Sequence, residues 1–100
     1  MSIDQVTSAL KQRLIDLSGL GYCVRFDFGE DGAIVVDGRA TPPVIADDDA
    51  EPDTTIRMSI ENGLKLLQGS LNPTLAYTMG KLKVDGSMGV ALKVASMLEE

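Results

Sequence analysis

The stretch that most restricts the fold is YCVRFDF, residues 22–28, in which apolar and polar side chains alternate strictly. This period-2 pattern places Tyr22, Val24, Phe26 and Phe28 on one face, as in a half-buried β-strand. GEDG at 29–32 is typical of a turn, and AIVVD at 33–37 is a returning strand. The chain therefore contains a β-hairpin with one apolar face, which a second layer must cover.

The flanking segments supply that layer. An apolar residue recurs at helical spacing between Ile3 and Leu17, and Ser2 stands three residues before Gln5, a capping-box arrangement. Further helices are predicted after Ser59, in TLAYTM and in the C-terminal segment, and further strands in RATPPVIA, TTIRMS and KLKVDG. The order predicts a single domain over residues 1–100 with an α+β fold: a mostly antiparallel sheet with helices on one face.

Charge and composition exclude several partners. The formal net charge is −6 and the nine basic residues are scattered, so a nucleic-acid surface is not expected. No run approaches the ~18 apolar residues of a membrane span. Cys23 is the sole cysteine, and the N-terminal segment lacks the basic-then-apolar order of a secretory signal. We expect a soluble, cytoplasmic protein.

Catalytic and metal-binding patterns are missing. The chain has no histidine, which removes the commonest general base and imidazole ligands. Cys23 therefore has no partner base and is interpreted as a structural or surface residue. The acidic run at 47–53, DDDAEPD, does not fit a calcium-loop register; we interpret it as a solvated loop, with weak divalent binding left open. We predict a protein that is not an enzyme and has neither cofactor nor metal.

The C-terminal segment SMGVALKVASML is apolar at almost every position. On a helical wheel its apolar side chains span roughly 220°, about twice the arc that a helix lying on a core requires. Two explanations remain open from periodicity: the helix is sandwiched in the core or against a second chain, or part of its surface lines an oily pocket.

Residues 53–98 resemble the C-terminal half of the sterol carrier protein family, the non-specific lipid-transfer domains. The order and spacing agree for a strand ending in Ser59, a helix opening with Glu61 and Asn62, and the turn Gly69, Leu71, Asn72, Pro73. They also agree for the strand Gly80, Lys81, Leu82, Lys83, for Gly86 and for the terminal helix with Leu92. The early-strand tryptophan often seen in the family is absent, and the middle loop PPVIADDDAEPD is unusual. The ending MLEE lacks a peroxisomal tripeptide, which favours a free-standing bacterial-type member.

The resemblance implies a five-stranded sheet and helices enclosing a hydrophobic tunnel for a fatty acid, fatty acyl-CoA, sterol-like or isoprenoid lipid. The predicted tunnel residues are Leu64, Leu67, Leu71, Tyr77, Met79, Met88, Leu92, Val94 and Met97. The expected partners are a lipid ligand, a membrane contacted transiently through the apolar helix, and a lipid-handling enzyme, with the chain a monomer or weak dimer. The alternative is an accessory module that docks a partner, or itself, through that helix.

Overall fold

A computed structural model describes residues 2–46 and 50–99. Four α-helices and five strands occur in these ranges. They are α1 (Ile3–Arg13), β1 (Cys23–Asp27), β2 (Ala33–Asp37), β3 (Val44–Ala46), β4 (Thr54–Arg57), α2 (Ile60–Leu67), α3 (Pro73–Thr78), β5 (Lys83–Gly86) and α4 (Met88–Leu98). Single 3₁₀ turns cover Leu14–Leu17 and Gly29–Asp31.

The strands form one mixed sheet in the order β3-β2-β1-β4-β5. Within the described ranges, three of its pairings are antiparallel, and the central pairing of β1 with β4 is parallel. The α+β class and the mostly antiparallel sheet are therefore confirmed. The parallel pair was not anticipated, because alternation along a strand defines its faces and not the direction of its neighbour.

Local capping sets where the helices begin. The Ser2 hydroxyl accepts a hydrogen bond from the Gln5 amide at 3.3 Å, and Gln5 Oε1 accepts one from the Ser2 amide at 2.9 Å. Ser59 caps α2 by accepting from the Asn62 amide at 3.1 Å. These predicted caps are confirmed. The first helix is shorter than its apolar pattern, since α1 ends at Arg13 and a 3₁₀ turn continues to Leu17.

The core lies on one side of the sheet. Val24 and Phe26 of β1, Ile34 and Val36 of β2, and Ile56 of β4 belong to the same buried cluster as the inward residues of the helices. The helical members of this cluster are Val6, Leu10, Leu66, Leu67, Ala76, Ala91, Val94 and Leu98. The helices therefore cover one face, as predicted.

Arg13 joins the C-terminal ends of two other helices to α1. Its guanidinium donates to the Leu67 carbonyl of α2 at 2.8 Å and to the Leu98 carbonyl of α4 at 3.0 Å, and its Nε donates to Asp16 Oδ2 at 2.6 Å. The last carbonyls of a helix lack intrahelical partners, so a cation there satisfies them and complements the helix dipole. This contact fixes the C-terminal end of α4 over the sheet.

In the part of the chain that the structure describes, no helix has the length and hydropathy needed to cross a membrane.

Candidate functional site: an apolar cavity under the terminal helix

A cavity lies between the inner face of the sheet and the helices α3 and α4. Its floor comes from Phe26 of β1, Ile56 of β4 and Val84 of β5. Pro73, Thr74 and Tyr77 of α3 form one wall. The opposite wall is a stripe along α4 at spacings of three and four residues: Met88, Ala91, Leu92, Ala95 and Leu98. Such spacing places these side chains on one face of the helix.

The lining is almost wholly hydrocarbon. Among the described residues that border the cavity, the polar groups are the hydroxyls of Thr74 and Tyr77. Thr74 Oγ1 donates to Glu99 Oε1 at 2.8 Å, so this hydroxyl is already paired. A cavity of this kind offers apolar contact and has few groups with which to orient a polar molecule.

The cavity deepens from the surface into the core. At its mouth, Tyr77 and Met88 are each 41% exposed and Leu92 is 53% exposed, whereas Val94 and Leu98 at the inner end are 1% and 2% exposed. Part of the wide apolar arc of α4 therefore packs on protein. The remainder, Met88 and Leu92, borders the opening.

The free volume is about 40 Å³, whereas ligand pockets usually span about 300–1,000 Å³. Any elongated guest must therefore displace side chains or a wall. Of the two walls, α4 is held by Arg13 at its end and by Lys93, whose Nζ donates to the Leu20 carbonyl at 3.0 Å. Helix α3 has six residues and buries Pro73 and Ala76, so it covers the cavity with fewer buried side chains than α4 does.

The structure brings together four of the nine residues predicted to line a tunnel: Tyr77, Met88, Leu92 and Val94. The other five lie outside this lining. Leu67 is buried beside Val6 and Leu10, Leu64 borders a surface groove between α1 and α2, and Leu71 precedes α3 next to a separate depression. Met79 is exposed after α3, and Met97 is half-buried against the core.

Several lining residues were absent from the sequence-based set. They are Phe26, Ile56, Met58, Leu66, Pro73, Thr74, Leu82, Val84, Ala91, Ala95 and Leu98. Two signals pointed to some of them. Leu82 and Val84 alternate with lysines on the last strand, and the small residues Ala91 and Ala95 share the helical stripe of Met88. The missed residues include large side chains such as Phe26, Ile56 and Leu66 as well as small ones, because the tertiary packing of each element decides which apolar residues border the cavity.

The sequence model of the SCP-2 sterol transfer family matches residues 3–99. The chain belongs to this family. The resemblance noted in residues 53–98 is thus confirmed, and the match also covers the N-terminal helix and the hairpin.

Similar proteins include longer ones. Sterol carrier protein 2 of Rattus norvegicus is 39% identical over 70 residues, which are 69% of this chain and 13% of that protein. Peroxisomal multifunctional enzyme A of Dictyostelium discoideum is 36% identical over 68 residues, which are 68% of this chain and 13% of that protein. The aligned region thus spans about an eighth of these relatives.

Solved structures of SCP-2 proteins share the fold. Palmitated SCP2L2 from Aedes aegypti matches with a TM-score of 0.75 and 20% identity, covering 100% of this chain and 96% of that one. Sterol carrier protein-2 of the same organism, in complex with palmitate, matches with a TM-score of 0.66 and 20% identity, covering 98% and 96%. At this identity the likeness establishes the fold.

Cys23 lies on β1 away from the cavity and is buried. Its backbone amide donates to Asp53 Oδ2 at 2.8 Å. Burial raises the pKa of the Cys23 thiol above its ordinary value of 9.0, and the Asp37 carboxylate raises it further. A thiol in this setting stays protonated near neutral pH and is a poor nucleophile.

No group of three or more His, Cys, Asp or Glu side chains suited to a metal occurs within residues 2–46 and 50–99. Asp47, Asp48 and Asp49 of the predicted acidic loop lie outside the described residues.

Proposed function

We propose that this SCP-2 domain binds the hydrocarbon tail of an elongated lipid, such as a fatty acid or fatty acyl ester, in the cavity under α4, and carries it without chemical change. The observation that carries the proposal is the apolar lining that runs from the core to an exposed mouth at Tyr77, Met88 and Leu92. Family membership and the palmitate complexes of two proteins with the same fold support it.

Binding would draw on the hydrophobic effect. Each methylene transferred from water contributes about 0.8 kcal/mol, so affinity grows with tail length. Discrimination between neighbouring tail lengths would be weak, because one methylene more or less changes little in a hydrocarbon pocket. Because the free volume is small, part of the free energy gained by burying the tail offsets the cost of moving α3 and the mouth side chains outward.

The first test is native mass spectrometry of the protein purified from cells, followed by extraction of any bound molecule under denaturing conditions. We expect an adduct with the mass of a fatty acid, isoprenoid or phospholipid. A protein that shows no adduct, and acquires none after incubation with palmitate, would contradict the proposal.

A variant locates the site. Leu92→Asp places a carboxylate at the cavity mouth, where an acyl chain would desolvate it. Because Leu92 is more than half exposed, the fold should tolerate the change. Palmitate affinity should fall by about tenfold or more, the effect of ~1.4 kcal/mol. Ile15→Asp, at an exposed apolar position away from the cavity, is the matched control. Equal affinity in both variants would show that the tail binds elsewhere.

The accessory-module alternative has two observations in its favour. Met88 and Leu92 present apolar surface to solvent, and the chain aligns with a small part of larger proteins, one of them a multifunctional enzyme. Size-exclusion chromatography with light scattering separates the two functions. A stable dimer that forms without lipid and is broken by Leu92→Asp would favour docking of protein on this face.

A further inference from the structure

The two edges of the sheet differ. Strands β3 and β5 each pair with one described strand, so each has one free side. β3 has three residues and directly follows Pro42 and Pro43, and short strands and prolines are common means of blocking a sheet edge. β5 contains no proline, and its Lys83, Asp85 and Gly86 are exposed. The β5 edge is therefore the side of the sheet that is open to a further strand.

The hydrogen bonds of β5 determine which of its backbone groups face this edge. In an antiparallel pair, residues that bond the neighbouring strand alternate with residues that do not. The Ser87 amide donates to the Asp53 carbonyl at 3.2 Å, one residue beyond the last pair of the β4–β5 register. By this alternation Lys83 and Asp85 bond β4, whereas the amide and carbonyl of Val84 point to the free edge. Within the described ranges, no loop backbone forms a hydrogen bond with these two groups.

The charged side chains of β5 lie on the face of the sheet opposite the helices. Val84 borders the cavity, so its neighbours Lys83 and Asp85 project to the other side. Lys83 is directly opposite Arg57 in the register, a like-charge pair, and its ammonium forms no ion pair within the described ranges. Asp85 lies 3.2 Å from Arg57 and is 66% exposed, so its carboxylate has room for a second cation. The edge thus presents an unneutralised lysine two residues before an accessible carboxylate.

We propose that β5 pairs with β5 of a second copy of this chain, antiparallel about a two-fold axis at Val84, so that the two sheets become continuous. In this register the Val84 amide of each copy donates to the Val84 carbonyl of the other. Lys83 lies directly opposite Asp85 of the second copy, and the axis repeats this pair. Both are pairs without mutual hydrogen bonds, in which side chains across a strand pair are closest.

Charge selects this register over its neighbours. Backbone groups that face the edge recur at every second residue, so the nearest registers that retain hydrogen bonds have their axis one residue away from Val84. An axis at Lys83 would oppose that lysine to its own copy, and an axis at Asp85 would oppose the two aspartates. Like charges directly opposite each other destabilise a strand pair. Of these three registers, the one centred on Val84 therefore makes the sequence Lys-Val-Asp complementary to itself.

The same pattern argues for a second copy over an unrelated strand. A lysine on a sheet edge ordinarily discourages pairing, because an incoming strand leaves its charge unpaired. A second copy supplies the matching carboxylate through symmetry. The ion pairs of Asp27 with Arg57 at 3.7 Å and of Arg57 with Asp85 at 3.2 Å would then extend across the interface to Lys83 of the second copy. This row alternates in sign along its whole length. The contact requires no lipid, so it is independent of the proposed function.

Charge reversal tests the pairing. Sedimentation equilibrium measures the dimer dissociation constant of the whole chain without lipid. Lys83→Glu and Asp85→Lys each convert two unlike pairs into two like-charge pairs, so each variant alone should have a dissociation constant at least about tenfold higher. Both positions are exposed, and circular dichroism checks that the variants are folded. Lys11→Glu and Glu30→Lys make the same charge changes at exposed positions away from β5 and should leave the constant unchanged.

A mixture of the two variants gives the sharper result. When Lys83→Glu meets Asp85→Lys, unlike charges face each other at both positions, so the mixture should dimerise although neither component does so alone. A chain that carries both substitutions should likewise recover the wild-type dissociation constant. If the mixture stays monomeric, or if the single variants dimerise as well as the wild type, the proposed register is wrong.

Amide hydrogen exchange locates the contact. At low protein concentration the Val84 amide should exchange quickly and the Asp85 amide slowly, because β4 protects only the latter. Higher concentration should protect Val84 in the wild type and not in Lys83→Glu. Protection of Val84 that is the same at all concentrations would mean that the chain itself covers the edge. A dimer with an unprotected Val84 amide would place the contact elsewhere, and a chain that is monomeric at every concentration would leave the edge to a strand of another protein. Each of these three results overturns pairing between two copies.

Discussion

Replacement of Arg13 tests how far one side chain holds the helical layer together. Its side chain is 14% exposed, and the guanidinium bonds the last carbonyls of α2 and α4. A hydrogen bond from a charged group contributes about 1.5–3 kcal/mol, so Arg13→Met, which removes both carbonyl bonds, should cost about 3–6 kcal/mol. Domains of this size unfold with a total of about 5–15 kcal/mol. The variant should thus lose a large share of its stability.

The assay is urea unfolding followed by circular dichroism, with thermal unfolding in parallel. At about 4–8 °C per kcal/mol, the melting temperature of Arg13→Met should fall by roughly 12 °C or more. Arg13→Lys retains the charge but lacks the planar fork that reaches two helices, so its loss should be intermediate.

Arg39→Met is the matched control for this experiment. Arg39 also pairs with an aspartate, Asp37 at 2.9 Å, but its side chain is exposed and contacts no helix end among the contacts that the structure describes. Solvent screens an exposed ion pair, so this variant should unfold near the wild-type midpoint. If Arg13→Met and Arg39→Met unfold at the same urea concentration, the guanidinium does not secure the helix ends and the reasoning fails.

Two other predictions concern backbone space and the thiol. In Gly63→Ala the new Cβ would lie 2.5 Å from Phe28 Cε1, so the buried ring must shift, at about 1–3 kcal/mol. In Gly89→Ala the atom nearest to the new Cβ is Ser87 Oγ at 3.9 Å, and the helical preference for alanine should stabilise the protein by up to about 1 kcal/mol. A lower denaturation midpoint for Gly89→Ala than for Gly63→Ala would refute this. Because the folded-state pKa of Cys23 is raised, the unfolded thiol ionises first, and stability should fall as pH rises above about 9. A disulfide reagent should label the thiol only as fast as the protein opens; immediate labelling of the native protein would contradict its burial.

Sequence patterns predicted the elements of this fold well where the signal is local. The pairs Ser2 with Gln5 and Ser59 with Asn62 mark helix starts through contacts three residues apart. The alternation of residues 22–28 assigns the faces of β1 in the same local way. The β1–β4 pairing depends on register between residues 30 apart, such as Val24 with Thr54, and no local pattern encodes it.

The cavity was less predictable for a related reason. Leu64 and Leu92 are equally apolar helical leucines, but Leu64 turns to the groove between α1 and α2 while Leu92 turns to the cavity mouth. Periodicity indicates that a helix has an apolar side, and the packing of its neighbours decides whether that side meets another helix or open space. The choice between the two leucines required the tertiary structure.

The parallel pairing at the centre of the sheet has a consequence for synthesis. When the hairpin of β1 and β2 leaves the ribosome, the second edge of β1 stays unpaired until β4, Thr54–Arg57, has been synthesised. Arg13 likewise cannot form its hydrogen bond to the Leu98 carbonyl until that residue has been added. Folding of the domain therefore cannot be completed in the order of translation. The apolar face of the nascent sheet is covered in part by the earlier helices and stays open where α4 packs until that last helix emerges, so we expect the chain to be most prone to aggregation in this interval.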